Sequence, residues 1–408
     1  MNSSPHARLS ALLRLALLAS TALVGVPAAH AQWVIEGDLS VRYPSDSSSS
    51  SGYNVPVTIT GRLLVGTGSR PYYSVRFLNH PNLVISAGGA SIAHDPSSSD
   101  INAYVRILGT WLNTGPLVVG ETGNGILAIS GQGIVRQDDG LGTVTIANQP
   151  GSTGTLAVGI GNSSYVSDEQ EPMAPGTLDA VAVVFGQGAG RILFSHTSGS
   201  YTFAPTISGF GTVVVRNGTT TLTGDNSGLS GSVELRGGKL SLAASGNIGA
   251  ASVSGMGGTL AYSAGVNLAN SVTLASGSTT FEVAAGSATQ GGAISGSGNL
   301  IKDGAGTLQL TGSTTYSGTT TIRGGTLVTT GGLGSGPVAN SGTLTFRDAN
   351  GFYTQNISGT GMVHKEGSGT ITLRSNNTYT GGTFIGAGEE SRHFPADSAQ
   401  DRWSTTAH

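Results

Sequence analysis

The side chains that could do chemistry are few, and none of them falls into a recognised catalytic spacing. No G-x-S-x-G is present, which removes the esterase nucleophile elbow. No H-E-x-x-H is present, and the eight histidines are scattered. Gly238-Lys239 is followed by Leu240 rather than by Ser or Thr, so it is not a phosphate loop. G-x-G occurs often but never extends to G-x-G-x-x-G, and the calcium nonapeptide G-G-x-G-x-D is absent. Carboxylates are the remaining option, because extended β folds can host paired acids that cleave polysaccharides. Asp138 and Asp139 are adjacent and would face opposite ways on a strand; with Gly140 after them they read as a turn. Asp168, Glu169 and Glu171 stand beside Pro172, Pro175 and Gly176, and read as an acidic loop protruding from the body. Such a loop is either simply solvated or a binding element that attracts cations. Ser45 to Ser51 reads as a flexible loop. No catalytic, cofactor-binding or metal-ligating residue is therefore expected, no cofactor is expected, and the binding residues stay unassigned.

The elements that surround these residues are written in the composition. Glycine fills 66 of 408 positions, about 16%, against a usual 7% or so. Charged residues are 10%, against about 25%. Glycine lacks a strict period of three, which excludes collagen. The net charge of −3 offers no surface for neutralising phosphates, so nucleic acid is not an expected partner. Cysteine is absent, which excludes disulfides and thiolate metal sites. Short alternating runs recur instead. Leu127 with Ile129, Val144 with Ile146, Leu156 with Val158, and Leu308 with Leu310 each place two apolar side chains on one face. Period two means one wet and one buried face. Thr on the wet face suits an extended backbone because its Cβ is branched. The texture persists unchanged from Thr110 to Gly388, and tight corners explain the glycine. The expected fold is all-β, a right-handed parallel β-helix.

A long motif repeats within this texture. Gly298 to Leu327 contains Lys302, Gly304, Gly306, Leu308, Leu310, Tyr316, Gly318, Ile322, Gly325 and Leu327. Gly361 onward contains Lys365, Gly367, Gly369, Ile371, Leu373, Tyr379, Gly381 and Ile385, which align with the first copy without a gap. A degenerate third copy begins at Gly211, with Arg216 near the lysine position, and ends in Arg236-Gly237-Gly238-Lys239-Leu240. Leu308, Leu310, Ile322 and Leu327 are expected inside, and Gly304, Gly306 and Gly325 at corners. Tyr316 and Tyr379 are expected to pack at equivalent rung positions.

The order G-x-G-x-L-x-L, then N-x-Y-x-G-G-T, then G-G-T-L resembles the autotransporter-associated β-strand repeat, found in passenger domains of Gram-negative type V autotransporters. The resemblance implies an exported passenger at the cell surface or outside the cell. It also implies a non-enzymatic role, adhesive or self-associating, toward a host surface, matrix or sister cells. The alternatives are a β-helical enzyme acting on polysaccharide and an inert stalk. The organisation expected is a signal peptide at 1–31, an N-terminal β region at 32–109, and a β-helix at 110–388 with repeats at 211–240, 298–327 and 361–388. A charged, disordered tail at 389–408 completes it. That tail holds six charges in twenty residues, against 35 in the preceding 388. It breaks the motif after Gly388, as if the frame were lost there, and holds no strands of a translocator barrel.

Arg8 and Arg14, the apolar run from Leu12 to Val26, and Ala29-His30-Ala31 have the form of an export signal. Sequencing the N-terminus of material from the periplasm should find Gln32 first, with cleavage after Ala31. A membrane-bound product that keeps Met1 would refute this.

Overall fold

The chain is described by a computed structural model over residues 84–93, 102–160, 170–387 and 390–394, together with short strands at 33–35, 39–41, 57–59, 63–65 and 72–75. Ala31, Gln32, Ser45 to Ser51, Asp168, Glu169 and Trp403 lie outside the described residues.

The fold is an all-β parallel β-helix, as the period-two runs predict. Each strand pairs with the equivalent strand one turn earlier and one turn later, so the sheets form walls of a coil. Wall 1 has six strands, from Trp33–Ile35 to Thr177–Asp179. Wall 2 runs from Leu39–Val41 to Ala182–Phe185, and wall 3 from Tyr72–Val75 to Ile294–Gly296. The long strand Thr206–Asn217 pairs with both and joins walls 2 and 3 into one sheet of 16 strands. Wall 4 has nine strands, from Tyr201–Phe203 to Ile357–Ser358. Wall 5 runs from Asn267–Leu268 to Thr383–Ala387. Gly351–Tyr353 and Ile371–Leu373 form a last small sheet.

Inward side chains form one continuous apolar core from Leu63 to Val363. Leu308, Leu310, Ile322 and Leu327 all belong to it. Leu308 stacks between Ala288 and Leu327 on wall 5, so each rung sits directly on the one below. Gly304 (φ +81°) and Gly325 (φ +62°) turn the corners in a left-handed conformation that glycine adopts without steric cost. Asn226, Asn270 and Gln290 use their side-chain amides for the same end. Asn226 Nδ2 donates to the Asn247 carbonyl at 2.8 Å, Asn270 Nδ2 to the Gly249 and Ala251 carbonyls, and Gln290 Nε2 to that of Asn270. Corner carbonyls that no strand can reach are satisfied this way.

Two details differ from the expectation. Tyr316 and Tyr379 are equivalent within the repeat but not on the coil. The segment of Tyr316 rests on wall 3, where the Ser317 N–H donates to the Gly296 carbonyl; that of Tyr379 rests on wall 4, where the Thr378 N–H donates to Ile357. Residues 390–394 of the charged tail form a strand that runs antiparallel to Thr383–Ala387.

Leu308→Asp should destabilise the coil by several kcal/mol, since it buries an unpaired carboxylate. Gln309→Asp, one residue along and half-exposed, should cost about 0.5 kcal/mol or less. Thermal unfolding of the two variants checks the strand phase, and equal losses would contradict it.

Candidate functional site

The repeat builds a distinctive corner. Lys302 lies on the strand Asn299–Asp303 with its side chain turned inward and fully buried. Its ammonium donates to the carbonyls of Asp303 (2.8 Å), Gly304 (2.8 Å) and Gly324 (3.2 Å). A lysine ammonium has three protons, and all three are used. Burial pushes the amine down to about 8, while Asp303 and Glu282 nearby pull it up; it stays protonated at neutral pH. Asp303 also accepts the Gly304 N–H at 2.7 Å, so the corner carries an inner cation and an outer anion. Lys365 repeats the arrangement with the carbonyls of Glu366 (2.7 Å), Gly367 (3.0 Å) and Ser368 (2.9 Å). Further along each copy, the hydroxyls of Tyr316 and Thr320 share a hydrogen bond at 2.5 Å, and Tyr379 bonds Thr383 likewise. Tyr316 is fully buried and Tyr379 packs against the core, so both are packing residues. In the degenerate copy, Val215 faces the core and Arg216 faces out, where it donates to the Gln170 carbonyl at 2.9 Å.

Gln170 opens a strap that lies on the outside of wall 3. Tyr104, Ala128, Ala157, Leu193 and Val214 make an apolar patch on that outer face, buried together with Ile160. Residues Pro172 to Pro175 return onto the wall: Pro172 bridges Ile160, Met173 bridges His196, and Pro175 bridges Ser130. The Arg106 guanidinium donates to Met173 Sδ at 3.0 Å, and Ser130 Oγ donates to the Ile160 carbonyl. The described part of the expected protruding loop is therefore docked, because this wall is apolar outside as well as inside. Glu171 is exposed.

Of the carboxylates singled out from the sequence, the described ones, Asp138, Asp139 and Glu171, are all exposed. Asp138 and Asp139 sit exposed in a one-turn 3-10 helix, Asp138–Gly140, as the following glycine predicts. Glu282 and Asp303 are neighbours on adjacent rungs of wall 4, but each holds a cation: Lys239 at 2.7 Å and Arg323 at 3.6 Å. Glu366 holds Arg347 at 2.8 Å and His364 at 3.2 Å. Among the described residues no cluster of three or more His, Asp or Glu side chains could hold a metal ion. Sequence reasoning missed the role of the buried lysines. The signal was present, since two of only three lysines in the chain occupy one repeat position.

His196 is a buried titratable group of the strapped region. Its Nε2 lies 2.9 Å from Thr220 Oγ1, its ring lies 5.0 Å from that of Tyr201, and Nδ1 has no hydrogen-bond partner. Burial lowers its pKa, and the backbone at Ser198 only partly offsets this.

Two stretches, residues 300–328 and 363–389, match the model of the passenger-associated-transport-repeat family. They coincide with the two clear copies and begin at the strands that bear Lys302 and Lys365. The chain is 27% identical over 241 residues to the uncharacterized protein YuaQ of Escherichia coli (strain K12), over 48% of its own length and 17% of the relative's. No solved structure matches the chain. Among the described residues no helix is long and apolar enough to cross a membrane.

Because the unfolded chain takes up the His196 proton near pH 6.5 and the folded one resists it, stability should be complete above 6.5 and decline as the pH falls. The slope from this residue is at most about 1.4 kcal/mol per pH unit. His196→Gln should flatten the fall in unfolding temperature between pH 7.5 and 5; an unchanged fall would remove His196 as its source.

Passenger-associated transport repeats set in a parallel β-solenoid are the combination that fits an autotransporter passenger domain.

Proposed function

We propose that this passenger acts outside the cell as a non-enzymatic rod that adheres to surfaces or to sister cells. The observation that supports this reading is the outer face of wall 3 beyond the strap. Thr212, Ser232 and Ser252 stand in register on successive rungs. Two residues along, Ser254, Thr273 and Ser295 form a second column in register. All six side chains are at least partly exposed. Rungs repeat every 4.8 Å or so, so the wall offers hydroxyls at fixed intervals with little charge among them. Each contact such a wall can make is weak, but many made at once on a rigid support are effective. The ion pairs at Glu282, Asp303 and Glu366 argue against a polysaccharide-cleaving reading, which needs two uncompensated carboxyls facing one substrate. Export through an N-terminal signal cut after Ala31 and delivery to the surface belong to the same reading.

The test displays the full chain on bacteria through a fused translocator and measures cell settling and retention on matrix-coated surfaces. The unchanged rod should increase both. Ser254→Ala, Thr273→Ala and Ser295→Ala together should reduce them about tenfold, as expected when several weak contacts are lost at once. The three positions face water, so folding should be preserved, and circular dichroism of the displayed domain checks this. Adhesion equal to that of cells without the rod would overturn the proposal, as would full adhesion by the triple variant.

A further inference from the structure

The repeat and the rung have different periods. On wall 4, three turns carry the chain from Leu300 to Thr320, then to Val338, then to Ile357. The repeat equivalent of Leu300 is Val363, which lies past Ile357 in the chain and falls on wall 5. One repeat is therefore longer than three turns of the coil. Lys302 stacks between Phe281 and Ile322 on wall 4, whereas Lys365 stacks between Phe346 and Ile385 on wall 5. The second copy is thus rotated by one wall relative to the first, and its neighbours above and below are different residues.

The inner contacts nevertheless survive the rotation. In both copies the ammonium takes the carbonyls of the next two residues, Asp303 and Gly304 or Glu366 and Gly367. In both, the tyrosine hydroxyl meets a threonine four residues on. Only the third carbonyl differs: Gly324 from the following turn in one copy, Ser368 from the same turn in the other. Contacts between residues so close in sequence travel with the segment, whichever wall it lands on. They also form without closing a full turn of chain, which lowers the loop entropy to be overcome before they appear.

We propose that each repeat is a self-registering corner: its ammonium clip and tyrosine–threonine brace fix the turn independently of the wall, so that the repeat sets the phase of the coil and seeds the rung that follows. Ordinary rungs take their register from the rung below; a repeat brings its own. One consequence lies on the outside. The acid that follows the lysine faces a different wall in each copy, with Asp303 beside Arg323 on wall 4 and Glu366 beside Arg347 on wall 5.

A graft in the full chain tests this. Residues 361–388 are replaced by the sequence of 298–325, which moves the first copy onto the second copy's wall. Hydrogen exchange at the transplanted equivalents of Leu308 and Leu310 should match that at Ile371 and Leu373 in the unaltered chain. A graft of 239–266, equally long but with Ala243 at the position of the clip lysine, should lose that protection. Equal loss in the two grafts would overturn the proposal. Lys302→Met in the otherwise native chain gives a reading that survives failure of both grafts. Exchange should accelerate about tenfold at residues 303–306 and 324–325, the effect of losing roughly one net hydrogen bond's worth of stabilisation, and little elsewhere. Acceleration spread evenly over walls 4 and 5 would make the lysine a mere filler of the core and refute the clip.

Discussion

The structure depends on satisfying backbone carbonyls at corners. Along a wall, each strand's peptide groups are paired with the rungs on either side, and the apolar column fills the interior. At a corner the chain changes direction, and some carbonyls point inward or along the axis with no strand to receive them. Leaving one buried and unpaired costs about 1–3 kcal/mol, and the cost recurs at every turn. Three devices meet this demand. Glycines such as Gly304 turn tightly enough for the next peptide to reach back. Amide side chains donate to corner carbonyls, as at Asn226, Asn270 and Gln290. In the repeats, a buried ammonium gathers three carbonyls at once. A protein whose main recurring demand is of this kind needs glycine, asparagine and a few well-placed lysines, and has little need for other charges inside.

Outside the coil the constraint is lighter, and the surface varies. Wall 3 shows two regimes along its length. Near the strap its outer face is apolar, from Tyr104 to Val214, and a second layer of chain covers it. Beyond the strap the same wall presents Ser254, Thr273 and Ser295 to solvent. The inner column is the same in both regimes, so the fold does not dictate the change. Charge on walls 4 and 5 is tied up across rungs, with Lys239 reaching Glu282 and Arg347 reaching Glu366. Such half-exposed pairs add little stability.

Much of this was legible in the sequence because it is local. Period two placed Leu308 and Leu310 inside, glycine marked the corners, and Gly140 marked the turn at Asp138 and Asp139. The wall on which each copy falls was not legible. The linear offset between two copies gives no winding number unless the length of each turn is known. The turns from Leu300 to Thr320, from Thr320 to Val338 and from Val338 to Ile357 are all of different lengths. The docking of the strap was illegible for a related reason. Apolar residues facing outward on wall 3, such as Leu193 and Val214, sit between inward neighbours in near-continuous apolar runs, Ile192 to Phe194 and Val213 to Val215. Such a run signals a strand buried on both faces without saying what covers the second face. The lysine was visible, but its chemistry was not, because only the coordinates show that its acceptors are main-chain carbonyls.

The same logic bears on how the described coil ends. A parallel stack exposes its last column and a row of unpaired peptide groups, which invites further strands. On wall 5 the strand Glu390–Phe394 runs antiparallel against Thr383–Ala387. It occupies the hydrogen-bonding edge there while reversing direction. On the neighbouring small sheet, Ile371–Leu373 pairs, among the described residues, with Gly351–Tyr353 alone, and both Ile371 and Leu373 are half-buried. They line a cavity at the mouth of the core with Phe346, Val363, Lys365 and Ile385. Among the described residues one wall therefore carries an antiparallel edge strand and the next does not. The ammonium of Lys365 matters most at this mouth, because its carbonyl partners lie in its own turn and no further rung is needed to hold that turn in place. A corner that carries its own register can stand at the end of a stack, where an ordinary rung would have a template on one side only.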